Sequence, residues 1–307
     1  MSNILIIKHG SLGDIAQISG VLKDIQLNFI DKKIFILTTT PYTELLSSCP
    51  YLDGVLIDKR FPRWNIYYLY KLKKMLEKYN FSHVFDLQNS KRTSFYRKYL
   101  LKAAIWSSTE TILKKGERKE DFDNDSVLER FKIQLSSSNI KTNYTLKPDF
   151  SWACSNVDTL LNQFIGKNFL IIFPFCSPQL SHKKWPYFNE LIEIIKNKYK
   201  DEYKILIAPG PDEIDQSKQM NAECILDEGV PLDISKLSSL IKNSIFVVTN
   251  DTGPAHMAAH LSVKGIALFG SHTTAHKVSI ERKNFKAIQV SDLKKLSAEK
   301  VFERILL

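Results

Sequence analysis

Residues 244–270 read S-I-F-V-V-T-N-D-T-G-P-A-H-M-A-A-H-L-S-V-K-G-I-A-L-F-G. Ile245–Thr249 is a short apolar run, as expected of a strand buried on both faces. Asp251 or Thr252 then offers an N-cap oxygen, Gly253 permits close backbone approach, and Pro254 suits a first helical turn. A helix over 254–261 leads to a second apolar run, Gly265–Phe269. Strand, turn, helix and strand in that order build a parallel sheet. Such a helix turns its free N–H groups and positive dipole end into the crevice at the carboxyl end of the strand, where open α/β sheets bind ligands. A diphosphate is the natural guest. A plain N-capped helix fits the same residues equally well.

The same alternation extends in both directions. Before residue 150, the runs Ile4–Ile7, Ile34–Leu37, Val55–Ile57 and Val84–Phe85 predict strands, with helices near 14–28, 66–79 and 92–103. After it the pattern restarts. Strands are predicted at Phe169–Phe173 and Ile205–Ala208, with helices near 186–199, 212–221, 232–242 and 292–306. The fold class is therefore α/β. It consists of two Rossmann-like domains with parallel sheets facing across a cleft, residues 1–155 and 156–307, with the boundary between 145 and 167.

At 307 residues, 44% apolar and 25% charged, the chain has the composition of a globular protein rather than a disordered one. Its net charge of +10 rests on 35 Lys and only 8 Arg. Clustered Arg would be expected of a nucleic-acid binder, so no nucleic-acid partner is expected, whereas an acidic substrate or an anionic membrane surface fits. The amino-terminal apolar run reads as a first strand rather than a signal peptide. No run approaches the length of a membrane span. Cys49, Cys154, Cys176 and Cys224 are widely spaced and read as reduced, which points to the cytoplasm. Lys59–Lys78 and Lys91–Lys102 are rich in lysine and aromatics. They suit amphipathic helices with snorkelling lysines, or peripheral contact with the inner membrane or a phosphorylated acceptor.

The first turn, K-H-G-S-L-G-D at 8–14, has neither the dinucleotide G-x-G-x-x-G nor the G-K-[ST] of a P-loop. Its glycines let backbone amides approach a ligand. Asp14 is favoured by the helix dipole and, at the mouth of a cleft, could take a proton from a sugar hydroxyl. His256 lies about one turn into its helix, where it could donate to phosphate, whereas His260 reads as packing. Their spacing of four suits zinc, but no Glu follows His256 and no third ligand is evident, so no metal and no cofactor are expected. His272 and His276 read as solvated loop. So does the D-x-D of Asp121–Asp123, within an acidic polar run.

Taken together, G-S-L-G-D-I at 10–15, K-K-W-P at 183–186 and N-D-T-G-P-A-H-M-A-A at 250–259 resemble glycosyltransferase family 9, the bacterial heptosyltransferases of lipopolysaccharide core synthesis. F-D-L-Q at 85–88 and A-P-G-P-D-E at 208–213 agree more weakly. The resemblance implies a GT-B fold, an ADP-heptose donor, a lipid-linked or phosphorylated glycan acceptor, inversion at the anomeric carbon and no metal. It implies that Asp14 is the general base and that Lys183 meets the donor diphosphate. Asp251, Thr252, Gly253 and His256 would form the donor-phosphate turn, with Ser11, Gly13 and Glu213 also on the donor. Asp86, Gln88, Lys91 and Arg92 would face the acceptor. Departures are Ile18-Ser19-Gly20 where the family often has a proline, Ser271 after A-L-F-G, and an unmatched stretch over 104–150. The alternatives are a relative using another nucleotide sugar for surface polysaccharide, and a non-catalytic nucleotide binder.

Overall fold

The computed structural model describes residues 2–162, 168–200 and 202–305. The chain divides between Pro148 and Asp149 into two units.

The first unit holds strands β1 (Asn3–Ile7), β2 (Ile34–Thr38), β3 (Gly54–Ile57), β4 (Phe81–Asp86) and β5 (Ile105–Ser107). Their order is β3-β2-β1-β4-β5, and every pairing is parallel. Four of the five β1 residues are buried, because helices cover both faces of a parallel sheet. The core gathers Leu5, Ile7, Leu37, Leu72, Val84 and Tyr96. The strand order reverses between β1 and β4, so the loops after these two strands diverge and leave a crevice.

The helix predicted over 14–28 is two helices, α1 (Leu12–Gln17) and α2 (Ser19–Asn28). Ser19 Oγ donates back to the Ala16 carbonyl at 2.8 Å, a side-chain bond that competes with the helical ladder. Gly20 then lets another segment in. A Cβ there would lie 2.1 Å from the Tyr144 carbonyl oxygen. Asp24, buried in α2, holds that segment. Its carboxylate accepts from the backbone N–H groups of Asn143, Tyr144 and Thr145 and from Thr145 Oγ1, at 2.7–3.1 Å. The unit continues with α3 (Ile66–Glu77), capped by Asn65, and α4 (Lys91–Tyr99), capped by Ser90. Strand β5 and α5 (Val127–Ser136) have no counterpart among the predicted elements.

The second unit holds β6 (Asn168–Phe173), β7 (Tyr203–Ile207), β8 (Glu223–Cys224), β9 (Phe246–Asn250), β10 (Gly265–Phe269) and β11 (Phe285–Gln289). The order is β11-β10-β9-β6-β7-β8, all parallel, and it reverses between β6 and β9. Helices α6 (Phe188–Tyr199), α7 (Ile234–Asn243), α8 (Gly253–His260) and α9 (Ala298–Phe302) follow in sequence. The helix predicted near 292–306 is a 3-10 turn, Leu293–Lys295, and then α9; residue 306 lies outside the described residues. Residues 149–155, placed by the sequence at the end of the first half, bond into the second. Phe150 N–H donates to the His260 carbonyl at 3.0 Å, and Ser155 N–H donates to Ser239 Oγ at 2.8 Å.

Asp24→Ala would leave three backbone donors without their carboxylate. It is expected to lower the unfolding free energy by about 3 kcal/mol, read from urea denaturation. A loss below about 1 kcal/mol would mean that other contacts hold residues 143–145.

Candidate active site

In the first unit the loop after β1 carries Lys8 to Asp14. Gly10 has φ +122°, and a Cβ there would meet the Tyr42 ring at 2.4 Å, so this turn requires glycine. Asp14 sits in the first turn of α1. Its Oδ2 accepts from Ser11 N–H at 2.7 Å and Ser11 Oγ at 3.1 Å, and its Oδ1 lies 3.2 Å from Lys8 Nζ. Lys8 reaches from the buried strand end, donating also to the Leu87 carbonyl at 3.3 Å, with Phe131 beneath it. The Lys8 side chain is 6% exposed and that of Asp14 is 37% exposed. This pair therefore hides its cation and presents its carboxylate.

Across the reversal point, Gln88 Oε1 accepts His9 N–H at 2.9 Å and ties the two loops together. A cavity of about 220 Å³ lies beside them, bordered by Lys8, Asp14, Gln88, Asn89, Asp123 and Arg130. Asp123 is not in a solvated loop. It pairs with Lys119 and with Arg130 Nη1 at 2.8 Å, and Lys119–Phe122 is a helical turn. The two neighbours predicted to face an acceptor are occupied. Asp86 is buried and accepts from Gln88 N–H and Asn89 N–H at 3.1 and 2.9 Å. Burial pushes its carboxyl up to about 6, against those hydrogen bonds. Arg92 turns its guanidinium to Asp58 and to the Phe61 carbonyl. Lys91 remains exposed at the start of α4.

Asp58, at the end of β3, is fully buried. Tyr96 Oη donates to it at 2.6 Å, Tyr68 Oη donates to the other oxygen, the Arg60 N–H approaches at 2.7 Å and His9 Nε2 lies at 3.0 Å. Burial alone would raise this carboxyl; the hydrogen bonds from His9, Tyr68 and Tyr96 outweigh it and hold the group ionised well below the usual carboxylate range. No local sequence pattern signals this cluster, because its members come from four separate segments.

In the second unit the equivalent place lies after β6 and β9. Asn250 Oδ1 accepts Trp185 N–H at 3.0 Å, and the Trp185 indole, fully buried, donates to the Leu296 carbonyl at 2.8 Å. The tryptophan is thus the anchor that fixes Lys183 two residues before it. Lys183 Nζ lies 2.6 Å from Asp251 Oδ2 and 3.4 Å from the Asp251 carbonyl. His272 Nε2 lies 2.9 Å from the same carboxylate, so His272 belongs to the site rather than to a solvated loop. Burial would raise the Asp251 carboxyl, but hydrogen bonds from Lys183 and His272 hold it low. Here the exposures are reversed: Asp251 is 4% exposed and Lys183 19%, so this pair presents its cation.

Thr252 is the N-cap residue of α8, Gly253 its first residue, and Pro254 carries no N–H to satisfy. His256 is buried one turn in. His260 is buried, and burial with the nearby Arg282 charge lowers its pKa well below the usual value, as its reading as a packing residue implies. Glu213 lies past the carboxyl end of β7, its Oε2 accepting Gly210 N–H at 2.8 Å. Ser11 is exposed and Gly13 buried in the first unit, beside Asp14.

Two α/β units, each a parallel sheet with one reversal of strand order, make a fold of the GT-B type. The sequence profile of glycosyltransferase family 9 (heptosyltransferase) matches residues 69–305, and the chain belongs to that family. No curated protein matches it by sequence. Three similar solved structures carry the fold. Escherichia coli heptosyltransferase WaaC with ADP-2-deoxy-2-fluoro heptose is 17% identical, with 98% of each chain covered and a TM-score of 0.72. E. coli ADP-heptose LPS heptosyltransferase II is 16% identical over 98% of this chain and 97% of that one, at 0.74. A family 9 glycosyl transferase from Veillonella parvula is 14% identical over 99% and 95%, at 0.77.

The raised Asp86 carboxyl has a signed consequence. The folded state binds its proton up to about pH 6, whereas an unfolded aspartate releases it near 3.8, so stability falls as pH rises through that window. Asp86→Asn keeps an acceptor for both N–H groups and removes the ionisation. Its stability relative to the parent is expected to grow by about 2 kcal/mol between pH 4 and pH 7, measured by denaturant unfolding at each pH. A difference that stays flat with pH would mean that Asp86 ionises at its ordinary value.

Proposed function

We propose that the protein moves heptose from ADP-heptose to a hydroxyl of a lipid-linked or phosphorylated glycan of the lipopolysaccharide-core type, inverting the anomeric carbon. The observation that carries this reading is the opposite exposure of the two Lys–Asp pairs. One unit offers a carboxylate, which a proton acceptor needs. The other offers an ammonium beside a helix N-terminus, which a diphosphate needs. Family membership narrows the chemistry to glycosyl transfer. The ADP and ADP-heptose analogue in the WaaC structures support an ADP-sugar donor here.

In this mechanism Asp14 accepts the proton of the acceptor hydroxyl. The acceptor oxygen bonds to the anomeric carbon, and the bond from that carbon to the β-phosphate oxygen breaks. ADP leaves from the opposite face. Charge grows on the departing diphosphate, and Lys183 Nζ with the amide groups of Thr252 and Gly253 meets it, while Asp251 and His272 hold the lysine in position. His256 adds a donor behind the turn, Glu213 serves the ribose, and Ser11 and Gly13 shape the loop beside the base. On the acceptor side Gln88 and Lys91 contact the glycan. Asp86 and Arg92 act by fixing the turn after β4 and the Asp58 cluster.

Calorimetric titration in EDTA is expected to show ADP binding in preference to UDP, GDP and CDP. Preference for another nucleotide would move the donor to a different sugar. Binding of none would leave a non-catalytic member. Asp14→Asn is expected to cut transfer by about 10²–10⁴ while ADP affinity is unchanged. Unaltered turnover would remove Asp14 as the base. Lys183→Ala is expected to weaken ADP about 10–100-fold, from the loss of a charge-assisted contact.

A further inference from the structure

Residues 59–74 of the first unit, K-R-F-P-R-W-N-I-Y-Y-L-Y-K-L-K-K, contain six basic residues and no acidic one. Their exposure is unlike that of an ordinary surface helix. Trp64 is 79% exposed, Ile66 78%, Tyr67 67% and Tyr70 59%. Ile66, Tyr67 and Tyr70 share one face of α3 through their three- and four-residue spacing, while Leu72 and Leu76 bury the opposite face in the core. Lys71 and Lys74 stand on the outward face, with Lys71 Nζ 4.3 Å from the Tyr67 ring and Lys74 Nζ 5.8 Å from that of Tyr70. Monomeric soluble proteins rarely leave so many large apolar groups contiguous and bare.

The patch is held firmly rather than dangling. The loop before α3 is pinned where Arg92 Nη2 donates to the Phe61 carbonyl at 2.9 Å and Phe61 packs against Tyr68. Asn65 caps the helix, accepting Tyr68 N–H at 2.9 Å. Arg63 lies 5.8 Å from the Phe95 ring, which contacts Tyr99, itself 55% exposed, so the same character continues onto α4.

We infer that this surface is a docking face for an anionic lipid bilayer. Trp and Tyr settle at the headgroup level, where a ring meets hydrocarbon on one side and water on the other. Ile66 has nothing to gain from a glycan or a nucleotide but gains from acyl chains. Lysines flanking the aromatics meet anionic headgroups while their stems lie along apolar surface. Charge complementarity selects the occupant: Lys73 and Lys74 share Glu77 at 3.8 and 3.4 Å, and a neutral protein surface would leave Lys59, Arg60, Arg63 and Lys71 unmatched. Among the described residues no helix is long and apolar enough to cross a membrane, so the contact is interfacial. The inference is independent of which sugar is transferred.

Sucrose-loaded vesicles test it directly, made of phosphatidylcholine alone or with phosphatidylglycerol. The full chain is expected to sediment with the anionic vesicles at low salt, to bind the neutral ones far less, and to be released by high salt. Trp64 is the exposed one of the four tryptophans, so its emission should shift to the blue on binding, and Trp64→Phe should abolish that shift. Lys71→Glu with Lys74→Glu is expected to lower partitioning about tenfold or more. Trp64→Ser with Tyr67→Ser and Tyr70→Ser should weaken it comparably, with circular dichroism and the unfolding midpoint unchanged because these side chains lie on the surface. A chain that stays in solution with anionic vesicles overturns the inference. So does binding that survives both sets of substitutions, or a dimer in sedimentation velocity that the aromatic substitutions dissolve.

Discussion

A parallel sheet covered on both faces has almost nowhere to put a charge. Its strands must be apolar along their middles, as β1, β6, β9 and β10 are, so polar chemistry is driven to the strand ends. Among those ends, only the place where the strand order reverses opens a crevice. Each unit has one such place and fills it with a lysine and an aspartate that neutralise each other. What differs is which partner is left in the open. In the first unit Lys8 is sunk at the strand end and Asp14 is lifted out on the helix that follows. In the second, Asp251 is sunk at the strand end and Lys183 arrives from another loop above it. One arrangement thus leaves a carboxylate in the open, the other an ammonium, without either unit burying an unpaired ion.

The second pair depends on a fully buried aromatic residue for its position. Trp185 fills the core between α6 and the segment before α9, and both of its N–H groups are satisfied, one by Asn250 and one by Leu296. Asn250 lies directly before Asp251 in the chain. The same asparagine therefore fixes the backbone carrying Lys183 and the backbone carrying its partner. The short K-K-W-P and N-D-T-G stretches are two sides of one contact, which is why they are visible together in the sequence.

How much of this was legible follows from the range of each interaction. The strands flanking the reversal points were read from local apolar runs, and Asp14, Lys183 and Asp251 from short motifs at their ends. Edge strands divide: β3 is legible as Val55–Ile57, whereas β5, β8 and β11 are not. β11, F-K-A-I-Q, breaks its apolar run with Lys286 and Gln289, because it lies at the sheet edge with only one neighbour. β5 is three residues long. His272 carries no local signal, because its partner lies 21 residues away across a strand and a helix. Asp24 and Asp58 were invisible for the same reason, their donors lying up to 121 residues distant. Asp86 and Arg92 were located in the right turn but assigned outward, since composition cannot tell a carboxylate facing solvent from one folded back onto its own amides.

Asp58 is fully buried, and a buried carboxylate is costly to retain. Its donors come from the loop after β1 through His9, from α3 through Tyr68, and from α4 through Arg92 and Tyr96. His9 is followed by the turn that carries Asp14, and Tyr68 lies between the bare aromatics of α3. One ionised group therefore joins the loop that carries Asp14 to the helix with the aromatic–basic face. Removing its charge would loosen both at once, because an uncharged residue could not satisfy that many donors. An apolar core residue would hold the same elements together with less desolvation, but it would not fix their relative register. A carboxylate with directional donors does, and the two elements it registers are the ones that must be positioned if a surface-bound acceptor is to meet Asp14.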